Sequence, residues 1–253
     1  MGETDVQHTV IAEFTHQADA FSRAAVYALT ETLTQLVGRL PVTGGSRWLD
    51  VACGTGAVAR AIAQHGGSAV GVDVTPAMLR KAEEQSRGLA GVHFWRADAT
   101  DLPFVDGLFD GAVSRFALHH IPAPARVLGE MARVVRRGGS VAAADHLTSD
   151  DAIVASWHHD IERLRDPSHW HSQSPSQFFA LGDPFGLRLI QRELVPFNMD
   201  FEEWLTRGSG SSSQRTLIEQ LIAEAPTGAS EVFGRHGARL HFLLGIAVWE
   251  RVV

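Results

Sequence analysis

The sequence predicts an α/β fold, a doubly wound, seven-stranded and mostly parallel sheet with a helical cap. Three observations support this prediction. Between residues 46 and 146, short apolar runs alternate with amphipathic segments of about ten residues, and parallel strands need such crossover helices. A Gly-x-Gly turn follows the first predicted strand. A polar residue stands at the end of each of the first five strands, at Asp50, Asp73, Asp98, Ser114 and Asp145.

The first strand, residues 47–51, leads into the turn that contains Gly54 and Gly56. Glycine lets a ligand approach the backbone closely and adopts positive φ readily, so this turn marks a binding site at a helix N-terminus. Asp50 would repel a pyrophosphate but suits a cationic or amino-bearing ligand. The turn therefore predicts a nucleotide-type cofactor whose positive group lies near Asp50.

Helix and strand signals then follow in order. An amphipathic pattern over residues 10–40 ends at Pro41 and a glycine pair. Two arginines and two glycines at residues 136–139 are predicted to cap the helix before the fifth strand. The other predicted helices cover residues 57–64, 76–86 and 124–135, and the strands cover residues 68–72, 92–96, 109–114 and 140–145.

The regular alternation ends after His146. A helix over residues 149–165, a polar loop and a short helix over 175–181 predict a substrate cap. The last two strands are predicted at 187–197 and 239–253, with helices at 201–206 and 216–225 and a mobile Gly/Ser loop at 208–213. We expect one domain over residues 1–253, with an N-terminal helical segment (1–45), a cofactor-binding core (46–146), the cap (147–185) and C-terminal strands and helices (186–253).

Composition excludes several classes of function. The formal charge of −7 comes without a basic block, so nucleic acid is not an expected partner. A single cysteine, Cys53, allows no internal disulfide and fits a reducing cytoplasm. The sequence shows neither a signal core nor an apolar run of membrane-spanning length. We expect a soluble cytoplasmic protein, with the oligomeric state, a homodimer among the options, left open.

The same turn also satisfies the dinucleotide pattern G-x-G-x-x-A, and Asp73 stands nineteen residues after Gly54, where it suits a ribose. Taken alone, this pattern favours a nicotinamide-dependent oxidoreductase. Asp50 disfavours that alternative, because it places an acid where a phosphate would approach. Asp98 is a third acid, placed to accept a hydrogen bond from an adenine amino group.

These motifs resemble those of the class I S-adenosylmethionine-dependent methyltransferases, in the branch with ubiquinone, menaquinone and small-molecule O- and C-methyltransferases. Four ordered motifs carry the resemblance, at residues 50–56, 71–79, 96–104 and 109–120. The resemblance implies S-adenosylmethionine as the cofactor and a Rossmann-like methyltransferase fold. The family often has glycine where Ala52 stands, which is a small departure because alanine still permits close packing.

The resemblance also implies which residues bind the cofactor. Asp73 would hold the ribose and Asp98 the adenine amino group, while Val74 and Met78 would cover the adenine. Met78 fits helix core equally well, and Phe14 and Phe21 could close over the cofactor, although packing along the helix is favoured. The full set is Asp50, Ala52, Gly54, Gly56, Asp73, Val74, Met78, Asp98, Ala99, Ser114 and Arg115.

Methyl transfer needs alignment of the nucleophile and exclusion of water, and an O–H or C–H acceptor also needs a base. His119 and His120 follow the fourth strand, and Asp145 ends the fifth. Related sugar methyltransferases place a histidine pair and an aspartate at matching positions. We predict His120 as the base with Asp145 as its partner or as a second base, and His119 as the other candidate; a structural role in the loop is the alternative.

The 13 histidines raise the question of a metal site. Their spacing matches no compact metal motif, although His119, His120, Asp145 and His158 could converge, so we expect a hydrogen-bonding substrate cap and no metal. The sequence therefore predicts O- or C-methylation of a small natural-product or quinone-like molecule. A related protein that catalyses cyclisation or isomerisation without methyl transfer is the main alternative, ahead of the oxidoreductase.

Overall fold

The computed structural model describes residues 3–23 and 27–253, and in these residues a central sheet carries helices on both faces. The strands are β1 (Arg47–Val51), β2 (Ser68–Asp73), β3 (Val92–Arg96), β4 (Phe109–Arg115), β5 (Val135–Leu147), β6 (Leu187–Asp200), β7 (Phe233–His236) and β8 (Arg239–Arg251). The helices are α1 (Glu3–Arg23), α2 (Tyr27–Val37), α3 (Ala57–Gln64), α4 (Pro76–Gln85), α5 (Pro124–Val134), α6 (Ala152–Arg165), α7 (Pro175–Ala180), α8 (Phe201–Arg207) and α9 (Ser211–Ala223). The predicted helical pattern over residues 10–40 corresponds to α1 and α2, and residues 24–26 lie outside the described residues.

The strands are arranged in the order β3-β2-β1-β4-β5-β8-β6, with β7 paired to β8. Strands β1 to β5 pair in parallel, whereas β8 runs antiparallel to both β5 and β6. The predicted doubly wound, mostly parallel α/β fold is confirmed. Beyond the seven predicted strands, the described chain contains β7, whose four residues are too few to show alternation in the sequence.

Strand β1 lies at the centre of the parallel part, between β2 and β4, and four of its five residues are buried. A Cβ atom on Gly111 of β4 would lie 2.4 Å from the Trp48 ring. Glycine at this position therefore lets the indole lie across the neighbouring strand, and close packing of this kind holds the two central strands together.

Alternating residues of each strand pack into two apolar layers. On β5, Ala142 and Ala144 belong to the layer that also contains buried residues of α2, α3, α6, α8 and α9. Val141 and Ala143 belong to the opposite layer, with α5 and α7. Because side chains alternate along a strand, this double burial explains why the central strands are apolar on both faces.

The predicted glycine cap after α5 is wrong. Helix α5 ends at Val134, and Val135 is already extended (φ −87°, ψ 136°) and pairs with Phe109. A Cβ atom on Gly139 would lie 2.6 Å from the carbonyl oxygen of Asp110. This glycine thus allows close contact between β4 and β5, rather than the left-handed turn that ends many helices.

The predicted mobile Gly/Ser loop at 208–213 is only partly a loop, because α9 begins at Ser211. Cβ atoms on Gly208 and Gly210 would lie 2.1 Å and 2.2 Å from the carbonyl oxygens of Arg165 and Leu164. These glycines let the segment pack directly on the end of α6. The Gly/Ser composition predicted flexibility, but in the structure the glycines allow close backbone packing.

Among the helices of residues 3–23 and 27–253, none combines the length and apolar character needed to span a lipid bilayer.

Candidate active site

A cavity of about 290 Å³ lies at the carboxyl ends of the central strands, which is the edge where doubly wound sheets bind ligands. The glycine turn after β1 lines one end, and histidine and aromatic side chains line the other. Residues of α1 cover it. The structure therefore brings eight of the eleven predicted cofactor residues and the predicted catalytic histidines to one cavity.

The two glycines of the turn have different roles. Both have positive φ, +53° at Gly54 and +77° at Gly56. A Cβ atom on Gly54 would meet nothing within 4 Å, so this residue opens its backbone to the cavity, whereas one on Gly56 would lie 2.6 Å from the Phe94 ring. Gly54 suits contact with a ligand, and Gly56 suits packing of the turn against β3.

Ala52 also has positive φ, +54°. The left-handed conformation costs an L-residue about 1–2 kcal/mol. The alanine that replaces glycine at this position therefore lowers the stability of the folded backbone, although it leaves the packing unchanged.

We expect Ala52→Gly to raise the free energy of unfolding by about 1 kcal/mol in urea titrations. Ala117→Gly is the matched control, because Ala117 has φ −135°, and it should lower stability. Equal losses in both variants would contradict strain at Ala52.

Asp73, at the end of β2, connects two turns. Its Oδ2 accepts a hydrogen bond from the Gly54 N–H at 2.9 Å, and its Oδ1 accepts one from the Thr75 N–H at 2.8 Å. Burial raises the pKa of this carboxyl. Each carboxylate oxygen can accept a further hydrogen bond, and Asp73 lines the cavity, so a ligand with two adjacent hydroxyl groups fits here.

Asp98 lies on the same wall. Its Oδ1 accepts hydrogen bonds from the N–H and the hydroxyl of Thr100 at 2.8 Å and 2.7 Å. Its Oδ2 accepts one from the Gln7 side chain of α1 at 2.8 Å. The predicted cofactor residues Val74, Met78 and Ala99 line the cavity near it. Met78 is also buried against α1, so both interpretations of this residue fit the structure.

Asp50 lies behind the glycine turn rather than on the cavity wall. Its Oδ2 accepts a hydrogen bond from the Ala59 N–H in the first turn of α3 at 2.9 Å. This oxygen therefore stabilises the helix N-terminus, and the approach of a positive ligand group to Asp50 stays a prediction. Gly56 and Ser114 also lie off the wall, whereas Ala52 and Arg115 line it.

Burial raises the pKa of Asp50 to about 7, although the Ala59 N–H and the Arg115 charge oppose this shift. In the unfolded chain an aspartate titrates near 3.9, so ionisation of the folded state costs free energy, and stability falls as pH rises from about 4 to about 7. The neutral isostere in Asp50→Asn keeps an acceptor for Ala59. Its stability relative to the wild type should rise by on the order of 2 kcal/mol between about pH 5.5 and pH 8, measured by denaturant titration. The exposed Asp101→Asn control should show no such trend, and a pH-independent difference for Asp50→Asn would contradict the shift.

The predicted pairing of Asp145 with His120 is wrong. Asp145 instead contacts His119, whose Nδ1–H donates to Oδ1 at 2.6 Å and whose backbone N–H donates to Oδ2 at 3.2 Å. The physical reason is the 3₁₀ turn Leu118–His120 after β4, which directs one ring toward β5 and the next toward the cap.

His120 is held by the cap loop. Its Nδ1 lies 3.1 Å from the carbonyl oxygen of Ser168, and a carbonyl only accepts, so Nδ1 carries the proton and Nε2 has a free lone pair. The Ser168 hydroxyl, 3.0 Å from the same Nδ1, donates to Asp166 at 2.5 Å. Burial and the neighbouring His119 lower the pKa of His120 to about 4. The imidazole is therefore neutral near pH 7 and can accept a proton.

Helix α1 contributes Gln17, which the sequence did not single out, and Phe14, which it did. Gln17 donates to Glu13 at 2.7 Å and to Asp166 at 3.1 Å, and so joins α1 to the cap. Phe14 lines the cavity and meets the His120 ring edge-to-face, with ring centres 4.8 Å apart. Phe14 thus lies over the cavity, while the side chain of Phe21 lies outside the described residues. No fixed spacing in the sequence signals these contacts, because they join distant segments.

The end of the cavity near the histidines has an aromatic wall, bordered by Arg165 and Arg207. Phe197 stacks on Phe242 with ring centres 5.1 Å apart, and Phe116 lies 5.7 Å from Phe197. Trp204 and Met199 line the same end. Phe116 has φ +53°, an unusual conformation for a bulky residue that is concentrated at functional sites. This wall suits a flat or branched apolar molecule.

The chain is similar to known methyltransferases. A family model described as a methyltransferase domain matches residues 49–143. The uncharacterized methyltransferase YcgJ of Bacillus subtilis is 28% identical over 224 residues, which cover 87% of this chain and 88% of YcgJ. The crystal structure of YcgJ aligns with a TM-score of 0.80 and 24% identity over 88% of this chain and 99% of that chain.

Two further relatives match shorter stretches. The O-methyltransferase rstn1 of Aspergillus nomiae is 38% identical over 150 residues, 56% of this chain and 67% of that protein. The demethylmenaquinone methyltransferase of Clavibacter sepedonicus is 38% identical over 110 residues. That last match covers 44% of this chain and 45% of the relative, less than half of either.

Proposed function

This chain belongs to the S-adenosylmethionine-dependent methyltransferase family, and from that premise we propose that it methylates an oxygen or an acidic carbon of a small, partly apolar molecule. The observation that carries the proposal is the contact of His120 Nδ1 with the Ser168 carbonyl oxygen, which assigns the proton to Nδ1 and leaves Nε2 as a proton acceptor in a cavity with an aromatic wall. Membership of this family decides against the nicotinamide alternative.

The residues at the other end of the cavity fit S-adenosylmethionine. Gly54 has open space where a Cβ atom would lie, and the carboxylates of Asp73 and Asp98 have remaining acceptor capacity. When bound, the cofactor supplies an electrophilic methyl group on a sulfonium. Asp73 would hold its ribose, Asp98 its adenine amino group and the backbone of the glycine turn its methionine end.

His120 would act as the general base. Its Nε2 takes the proton from the acceptor, while Nδ1–H remains bonded to Ser168. The resulting imidazolium is stabilised by Asp166, which contacts the Ser168 hydroxyl. Phe14 and its neighbours on α1 keep water from this end of the cavity.

The acceptor class follows from the apolar wall. The rings of Phe197, Phe242 and Trp204 offer flat apolar surface. Two arginines border it, because Arg165 lies 5.2 Å from the centre of the Trp204 ring and Arg207 contacts the Met199 sulfur. Such a site favours a hydroxylated aromatic, a quinol or a comparable natural product. The names of two relatives, O-methyltransferase rstn1 and demethylmenaquinone methyltransferase, agree with this class of acceptor.

The test is a product assay with S-adenosylmethionine carrying a labelled methyl group and a panel of phenols, quinols and hydroxylated polyketides. We expect a product that has gained one methyl group in place of hydrogen, together with an equal amount of S-adenosylhomocysteine. If calorimetry detects no binding of S-adenosylmethionine at submillimolar concentration, the proposed cofactor binding is contradicted. Products without a mass gain would contradict methyl transfer and support the cyclisation or isomerisation alternative.

A further inference from the structure

Three imidazoles from distant parts of the chain converge beside the cavity. His119 lies after β4, His146 near the end of β5 and His169 in the cap loop. One ring nitrogen of each lies within 4.8 Å of one ring nitrogen of each of the others. The residues are 6%, 7% and 4% exposed, so the cluster is internal.

Each ring has one nitrogen engaged by a neighbouring group. His119 Nδ1 donates to Asp145 at 2.6 Å, His146 Nε2 lies 3.1 Å from the Ser172 hydroxyl, and His169 Nε2 lies 3.1 Å from a nitrogen of His159. This arrangement is typical of metal-binding histidines, in which the outer nitrogen is held by a partner and the inner one is the ligand.

His169 Nδ1 is fully buried and lacks a hydrogen-bond partner among the residues that the structure describes. His119 and His146 face the cavity. A buried ring nitrogen without a partner is costly, and a bound ion would satisfy it.

The surrounding charge favours a cation. Asp145, Glu162 and Asp166 are buried carboxylates, and the buried Arg165 contacts two of them, Glu162 at 3.1 Å and Asp166 at 3.5 Å. The other oxygen of Glu162 is buried without a hydrogen bond in the described part of the chain and lies 3.8 Å from His158. Arg207 is a second buried cation that interacts with Glu162 and Asp166. With neutral imidazoles, the three carboxylates still exceed the two arginines by one negative charge in a low-dielectric interior.

We propose that His119, His146 and His169 bind one divalent transition-metal ion of the zinc type, with the fourth position open to the cavity. Tetrahedral coordination brings ligand nitrogens to about 3.4 Å from one another, so the rings would approach by roughly 1 Å on binding. Three histidines with an open position form a site of the kind that binds and polarises an oxygen. Resting on the proposed function, this role would be to hold the acceptor's hydroxyl near His120 and to lower its pKa.

The experiment measures metal content separately from methyl transfer. The full chain is treated with EDTA, dialysed, and titrated with Zn²⁺, and bound metal is counted by mass spectrometry. We expect about one ion per chain, and with Co²⁺ the visible absorption of a four-coordinate ion. Substoichiometric retention, below about one ion per ten chains at saturating Zn²⁺, would overturn the proposal.

Variants identify the ligands. His169→Ala should lower Zn²⁺ affinity at least about 100-fold and remove the Co²⁺ absorption, while His159→Ala and Asp145→Asn, which change only outer partners, should lower it about 10–100-fold. The exposed His236→Ala is the matched control and should bind like the wild type. Unchanged Zn²⁺ binding in His169→Ala would overturn the assignment.

Calorimetry with S-adenosylhomocysteine distinguishes the outcomes. Each variant is first shown to bind S-adenosylhomocysteine with wild-type affinity, which establishes that the fold is intact. If His169→Ala does not bind it, the Zn²⁺ affinity of Asp145→Asn is used to test the metal site instead. Metal binding without methyl transfer to any tested acceptor would contradict the proposed function only. Methyl transfer that persists at the same rate in the EDTA-treated, metal-free chain would contradict the role of the ion only.

Discussion

Substitution of His120 by glutamine should lower kcat for methyl transfer by about 10²–10⁴-fold, the usual contribution of a positioned general base. The structure supports this expectation through the tautomer. Nδ1–H is bonded to the Ser168 carbonyl oxygen, so Nε2 is the nitrogen that can receive the proton. Glutamine retains a polar group of similar reach, but it does not accept a proton at neutral pH. The measurement is the initial rate with the acceptor found in the product assay.

The control for this prediction is His236→Gln, at an exposed position of β7, which should leave the rate unchanged. Cofactor affinity, measured by calorimetry, should be the same in both variants and in the wild type. Ser168→Ala should have an intermediate effect, because Asp166 then loses its contact with the base. A rate within about threefold of the wild type for His120→Gln would show that His120 is not the base.

Substitution of Asp73 by alanine should weaken the binding of S-adenosylmethionine and of S-adenosylhomocysteine at least tenfold and by up to about 10⁴-fold. Hydrogen bonds to a charged group contribute about 1.5–3 kcal/mol each, and Asp73 would accept two from the ribose. The same carboxylate accepts from the N–H groups of Gly54 and Thr75. Its removal therefore also loosens the turn that faces the methionine end of the cofactor.

Calorimetry with S-adenosylhomocysteine separates these two effects. Asp73→Asn keeps one acceptor oxygen and should show a smaller loss, while the exposed Asp101→Ala control should bind normally. Thermal denaturation establishes that each variant is folded before its affinity is compared. Wild-type affinity in a folded Asp73→Ala variant would refute the ribose assignment.

Local pattern was sufficient for most of the sheet. Helix α3 and strand β3 occupy the residues predicted for them, because hydrophobic periodicity and bounding glycines are properties of short segments. The polar strand ends were also predictable, and Asp73 and Asp98 reach the cavity since the carboxyl ends of parallel strands share one edge. The family resemblance and its cofactor follow from these local features and are confirmed.

Local pattern failed where a residue serves a distant neighbour. Gly139 resembles a helix cap but allows contact between β4 and β5. Asp50 resembles a ligand contact, and its Oδ2 binds the N-terminus of α3. In both cases the residue type indicated a special role. The partner of the residue could not be predicted, because several partners suit the same chemistry.

The sequence by itself determined the fold class, the polar residues at the ends of the first five strands and the type of cofactor. Only the tertiary structure decided that Asp145 contacts His119, that Ser168 orients His120, and that His169 of the cap completes a cluster with His119 and His146. The physical reason is range. Periodicity and turn chemistry act over a few residues, whereas these contacts depend on which strands are adjacent in the sheet and on how the cap and α1 pack over their ends.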